Sequence, residues 1–89
     1  MGQDARQRWQ QRYESALAVY TDLAAARNPY RAQALEELAK HYERRERNYG
    51  MALEMTRSAL SIEDSAPLRR REQRLKTRLQ TPRGRLLAL

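Results

Sequence analysis

The chain has 89 residues, a formal charge of +7 and no cysteine, which excludes a disulfide framework, a thiol nucleophile and a cysteine-based zinc site. Hydrophobic residues make up 40% of it, but 13 alanines are among them, so the bulky side chains suffice for one thin packing layer and no deep enclosed pocket. With only 3 glycines and 3 prolines beside abundant Ala, Leu, Glu, Gln and Arg, this is the composition of helices, and no apolar run approaches the ~20 residues of a membrane span.

A first helix is expected over about 4–27. Asp4 to Arg27 contains neither Gly nor Pro, and Trp9, Tyr13, Ala16, Leu17, Tyr20, Leu23 and Ala24 recur along one helical face. Asn28-Pro29 is the break, with Asn28 read as the cap of a second helix and Pro29 as its first residue, where a missing N–H costs nothing. That helix is expected over 29–47, burying Leu35, Leu38, Ala39 and Tyr42. Glu36–Lys40 and Glu43–Arg47 are spaced as ion pairs along it, each worth about 0.2–0.5 kcal/mol. Asn48 caps a third helix, 49–62, whose stripe is Ala52, Met55, Thr56, Ala59 and Leu60. Asp64 to Pro67 ends it and opens a fourth, 66–80, with Pro67 in the tolerated first turn. Leu68, Leu75 and Leu79 form a narrow seam on this charged rod, and 81–89 reads as a basic flexible tail. The expected fold is all-α: one domain over 1–80, an antiparallel four-helix bundle.

The charge is unevenly placed. Residues 1–65 balance ten basic side chains with ten acidic ones, whereas 66–89 set eight basic residues against Glu72 alone. On a helical wheel Arg70, Arg71, Arg74 and Arg78 gather on one flank of the leucine seam, with Arg69 and Lys76 on the other. Arginine suits bidentate recognition of phosphate or carboxylate, so these six are the candidate contact with nucleic acid or an acidic partner. The seam is too narrow to embed in a membrane surface. The opening residues, Met1 to Arg6, hold no apolar core of a signal peptide, and Arg6 stands where a myristoylation signal wants Ser or Thr. A soluble, cytoplasmic chain is expected.

The stretch 35–60 resembles a tetratricopeptide repeat, a helix–turn–helix unit of about 34 residues. Leu35, the pair Leu38 and Ala39, and Tyr42 match its first helix. Asn48 and Tyr49 match its turn, and Ala52 and Ala59 its two small residues where helices approach closely. Departures are a link from Tyr42 to Ala52 one residue longer than usual, Thr56 in place of a large apolar residue, and Asp64 near the usual final proline. Ala16, Tyr20 and Leu23 resemble the second helix of a degenerate preceding unit. More narrowly, Leu38 to Glu43, Tyr49, Ala52 to Glu54, Ala59, Leu60 and the later Arg71, Arg74 to Lys76, Arg78 and Leu79 are similar to the C-terminal, tetratricopeptide-like region of bacterial ribonuclease-H-like (exonuclease-type) proteins. That resemblance implies an accessory helical region attached to nucleic-acid metabolism; the acidic metal-binding residues of such a nuclease are not in this sequence.

Candidate chemistry is sparse. His41 is the single histidine, and Glu37 precedes it by four residues where a di-iron Glu-x-x-His motif needs three, so it reads as a boundary residue beside Tyr42. Glu36, Glu37, Glu43 and Glu46 alternate with Lys40, Arg44, Arg45 and Arg47, the pattern of a salt-bridged solvent face rather than of paired catalytic carboxylates. The serines lack a nucleophile elbow, and the glycines at 2, 50 and 84 stand singly, so no loop cradles phosphate. No catalytic residue, cofactor or metal ligand is assigned. Trp9, flanked by Arg8 and Arg12 at the outer end of the first helix, is a candidate contact for a partner or a second copy. The expected function is a non-catalytic interaction module that binds a protein, with homodimerisation open. The alternative is a free-standing small basic protein that binds nucleic-acid phosphates through its last helix.

Overall fold

The computed structural model describes residues 5–81. Four helices follow one another, α1 (Ala5–Ala24), α2 (Arg31–Arg44), α3 (Tyr49–Ile62) and α4 (Ala66–Gln80), and no strand occurs among the described residues. The chain is all-α. Its extents of 52 × 38 × 19 Å make a slab two helix diameters thick, taking a helix as about 10–12 Å across.

Helices α3 and α4 have the limits expected from the sequence because their caps are local. The Asn48 side chain accepts from the Met51 N–H at 3.1 Å, and Ser65 Oγ accepts from the Leu68 N–H at 3.3 Å. The other two helices are shorter than expected. Asn28 does not cap α2 as a side-chain acceptor on its first turn. Its Nδ2 instead donates back to the Leu23 and Ala26 carbonyls, and its Oδ1 accepts from the Tyr30 N–H at 2.9 Å. Arg31 Nε donates to the Ala24 carbonyl at 3.0 Å, which sets a cation at the negative end of α1. The Asn-Pro segment therefore belongs to the turn, and α2 opens at Arg31. At its other end α2 stops at Arg44 and not at 47, because the Arg45 and Glu46 N–H groups both turn onto the His41 carbonyl and Arg47 takes a left-handed φ of 52°. The Asn48 N–H then closes the reversal on the Tyr42 carbonyl at 2.8 Å.

Helix packing runs in chain order, with α2 against α3 the most extensive contact, followed by α3 with α4 and α1 with α2. Short turns bring each helix back along its predecessor. The buried residues on α2 are Ala32, Ala34, Leu35, Leu38 and Ala39, and those on α3 are Ala52, Thr56 and Ala59. Small side chains predominate at both, which lets the two backbones approach closely. Thr56 is wholly buried, and its hydroxyl is satisfied by the Ala52 carbonyl at 2.8 Å. Leu35, Ala59 and Leu68 form the central cluster, with Ala24, Met55 and Leu60 packed against it, so all four helices meet there. On α4 the buried stripe is Leu68, Arg71 and Leu75, while Leu79 is 48% exposed. Arg71, which the sequence placed on a flank of the seam, is buried within it between Leu68 and Leu75, and Leu79, expected to end the seam, lies outside it. Helix α1 buries no residue fully. It lies on α2 by the half-buried Tyr13, Leu17, Tyr20 and Leu23.

Because Ala59 is fully enclosed beside Leu35 and Leu68, Ala59→Leu should lower stability by about 1–3 kcal/mol through overpacking. Chemical denaturation measures it, and an unchanged midpoint would show that the interface has room to spare.

Candidate functional site

Two surfaces carry concentrated chemistry. The first is a groove of about 350 Å3 between α1 and α2. Ala16, Leu17 and Tyr20 of α1 form an apolar floor, and Lys40 and Arg44 of α2 stand around it with Arg45 just past the helix end. The helical stripe of α1 supplies the floor because α2 covers only one side of it.

Tyr13 and His41 close one end of the groove. The Tyr13 hydroxyl and His41 Nδ1 are 2.8 Å apart, and His41 Nε2 lies 2.9 Å from Glu46 Oε2. In the neutral ring one nitrogen accepts from the tyrosine while the other donates to the carboxylate, so both are engaged. His41 also meets Tyr42 edge-on at 5.3 Å between centroids, the boundary position expected of it. Trp9 stacks on Tyr13, ring centroids 5.1 Å apart and planes 9° from parallel. The Arg45 guanidinium carbon sits 4.7 Å from the Trp9 centroid and 4.8 Å from that of Tyr13. Trp9 is therefore within reach of Arg45, just past the end of α2, and it remains 48% exposed. Beyond it Arg8 and Arg12 line a shallow cleft.

The second surface is α4, and most of its basic side chains are engaged within the protein. Glu43 of α2 collects two of them. Arg74 donates from Nε and Nη2 to the two carboxylate oxygens, both at 2.9 Å, and Arg71 Nη1 donates to Oε1. Arg71 is only 8% exposed, and its Nε is buried without a hydrogen-bond partner. Arg69 pairs with Asp64, its Nε donating to Oδ1 at 2.7 Å. Arg78 lies over the Tyr49 ring at 4.3 Å. Arg57 Nε donates to Glu72 Oε2 at 3.2 Å and ties α3 to α4. Of the six candidate contacts on α4, exposed Arg70 and half-buried Lys76 alone form no ion pair or ring contact among the described residues. Arg69, Arg71, Arg74 and Arg78 already have partners within the protein. Arg83 and Arg85 of the tail lie outside the described residues.

Two of the acidic residues of α2, Glu37 and Glu43, are paired, with different partners from those their spacing gave, while Glu36 forms no ion pair among the described residues. Glu37, not Glu36, holds Lys40 at 3.1 Å, and Glu43 reaches across to α4 instead of along its own helix to Arg47. Glu43 is 14% exposed, so the supposed solvent face has a buried member. Sequence reasoning missed this carboxylate as an anchor. The available signal was Arg71 and Arg74 at a spacing of three, on the face adjoining Leu68 and Leu75. Among the described residues no three His, Cys, Asp or Glu side chains gather as metal ligands, and no helix is long and apolar enough to cross a membrane. Comparison with protein-family models, with curated proteins and with solved structures finds no match to this chain.

The hydrogen bond from Arg74 is the main cause that holds the Glu43 carboxyl below the ordinary range; burial opposes it, and the charges of Arg74 and Arg71 add to the lowering. A lowered folded-state pKa stabilises above the unfolded value, about 4.3, and that contribution fades as pH falls through the folded one. Glu43→Gln should cost about 2–3 kcal/mol at neutral pH, less than the ~3–5 of a fully buried pair because Arg74 can rehydrate. The gap between wild type and variant should narrow below about pH 4. Urea titrations from neutral pH into acid check both, and a gap that is absent or independent of pH would contradict the anchoring role.

Proposed function

We propose that this chain is a non-catalytic helical interaction module that binds a protein partner in the groove between α1 and α2. The observation that carries the reading is the groove itself: an apolar floor at Ala16, Leu17 and Tyr20, framed by basic side chains on α2. Such a combination provides desolvation energy at the floor and orientation at the edges. Helix α1 has α2 as its main neighbour, so a bound segment would give its remaining apolar surface a second one. At the groove end the Tyr13 hydroxyl, His41 and Glu46 form a linear chain of contacts, which fixes the side chains that would border a bound segment.

A tie to nucleic-acid metabolism rests on the sequence resemblance and on the charge of the last 24 residues. Direct phosphate binding by α4 is the second reading, favoured by the unpaired Arg70 and Lys76. Guanidinium groups already held by carboxylates have fewer donors to offer it.

The two readings differ in where a partner touches and in what it is. A photo-crosslinking residue placed at Tyr20 in the native cell should give a discrete, protease-sensitive adduct that the same residue at Gln73 on exposed α4 does not give. Nuclease-sensitive adducts from Gln73 with none from Tyr20 would replace the groove reading with the phosphate reading.

A further inference from the structure

Resting on the groove as a protein-binding site, we infer that its occupant is an acidic amphipathic helix. Apolar side chains of that helix seat on Leu17 and Tyr20, and its carboxylates meet Arg44 and Arg45.

Length comes first. The groove runs from Tyr13 to Tyr20 on α1 and from Glu37 to Arg45 on α2. Each stretch is about two helical turns, or about 11 Å, the span of anchors at i, i+4 and i+7 on a docked helix. Charge selects among such helices. The acidic groups near the groove are occupied, Glu37 by Lys40 at 3.1 Å and Glu46 by His41 at 2.9 Å. Arg44 is exposed and forms no ion pair among the described residues. Arg45, its guanidinium carbon 4.7 and 4.8 Å from the Trp9 and Tyr13 centroids, is exposed and likewise forms no ion pair among the described residues, so it can take an acceptor. The net character presented to an occupant is therefore cationic over an apolar floor. A basic segment is repelled, and residues 82–89 of this chain, with Arg83 and Arg85, are such a segment. A nucleic acid satisfies the edge but not the floor. Its phosphates bring nothing apolar to Ala16 and Leu17, and the Tyr13 ring on which a base might stack is already covered by Trp9 and Arg45.

The test uses the full chain and four labelled probes read by fluorescence anisotropy at low salt. They are a synthetic helix of Glu and Leu with apolar residues at i, i+3, i+4 and i+7, its Gln-for-Glu and Lys-for-Glu counterparts, and a single-stranded oligonucleotide. The Glu/Leu helix should bind best, more weakly as salt rises. Arg44→Glu should weaken it by about tenfold or more and strengthen the Lys/Leu helix, a gain that misfolding cannot produce. Arg70→Glu on α4 should leave both unchanged. Gln/Leu or Lys/Leu binding as tight as Glu/Leu would overturn the acidic occupant while leaving the groove a protein site. Binding of the oligonucleotide alone would overturn both. Glu/Leu binding sensitive to Arg70→Glu and not to Arg44→Glu would move the site to α4 and overturn the assignment. If no probe binds, the acidic occupant is overturned and crosslinking from Tyr20 alone decides the groove.

Discussion

Close approach between α2 and α3 is the constraint on which the other features of this molecule depend. The residues buried there are mostly alanine, with Thr56 folded onto its own backbone. Alanine contributes little apolar area, so the contact gains stability from backbone proximity and from the density of dispersion contacts. A core this thin leaves little margin, since small domains retain only a few kcal/mol. Cross-links between helices consequently matter more than they would in a larger protein. Glu43 is the main one, drawing Arg71 and Arg74 of α4 onto α2 from 28 and 31 residues away.

That anchoring has a consequence for function. Arg71 and Arg74 of the basic arm hold α4 on α2, and Arg69 and Arg78 meet Asp64 and Tyr49, so part of the charge visible in the composition is already paired within the protein. Unpaired charge also lies around the α1–α2 groove, where Arg44 and Arg45 are exposed and form no ion pair among the described residues. Net charge describes the field at a distance and steers encounter. Local pairing decides contact.

The sequence was most informative where structure is set by neighbours along the chain. Asn48 and Ser65 fix the starts of α3 and α4 through bonds spanning three residues, and both limits were legible. The apolar stripe of α1 was also legible, from Tyr13 to Ala24, because period alone identifies a face. Asn28 misled because one side chain has both donor and acceptor, and it turned its donor back to α1. Arg71 misled because its burial depends on a carboxylate on another helix. The spacing of the α4 leucines holds no trace of that partner. Neither does any single helix reveal the groove, which exists only when α1 is laid on α2. Trp9 was singled out as a candidate partner contact, and its stacking on Tyr13 and Arg45 is again a product of that pairing.

The central claim is that α2 and α3 form the rigid centre, while α1 is a lightly held outer helix whose partial coverage keeps the groove open. Amide hydrogen exchange resolved by helix tests it most directly, because exchange from a lightly packed element proceeds by local opening, ahead of global unfolding. The account predicts slowest exchange in α2 and α3, with α1 exchanging markedly faster from Ala5 to Tyr20. Protection of α1 equal to that of α3 would contradict it.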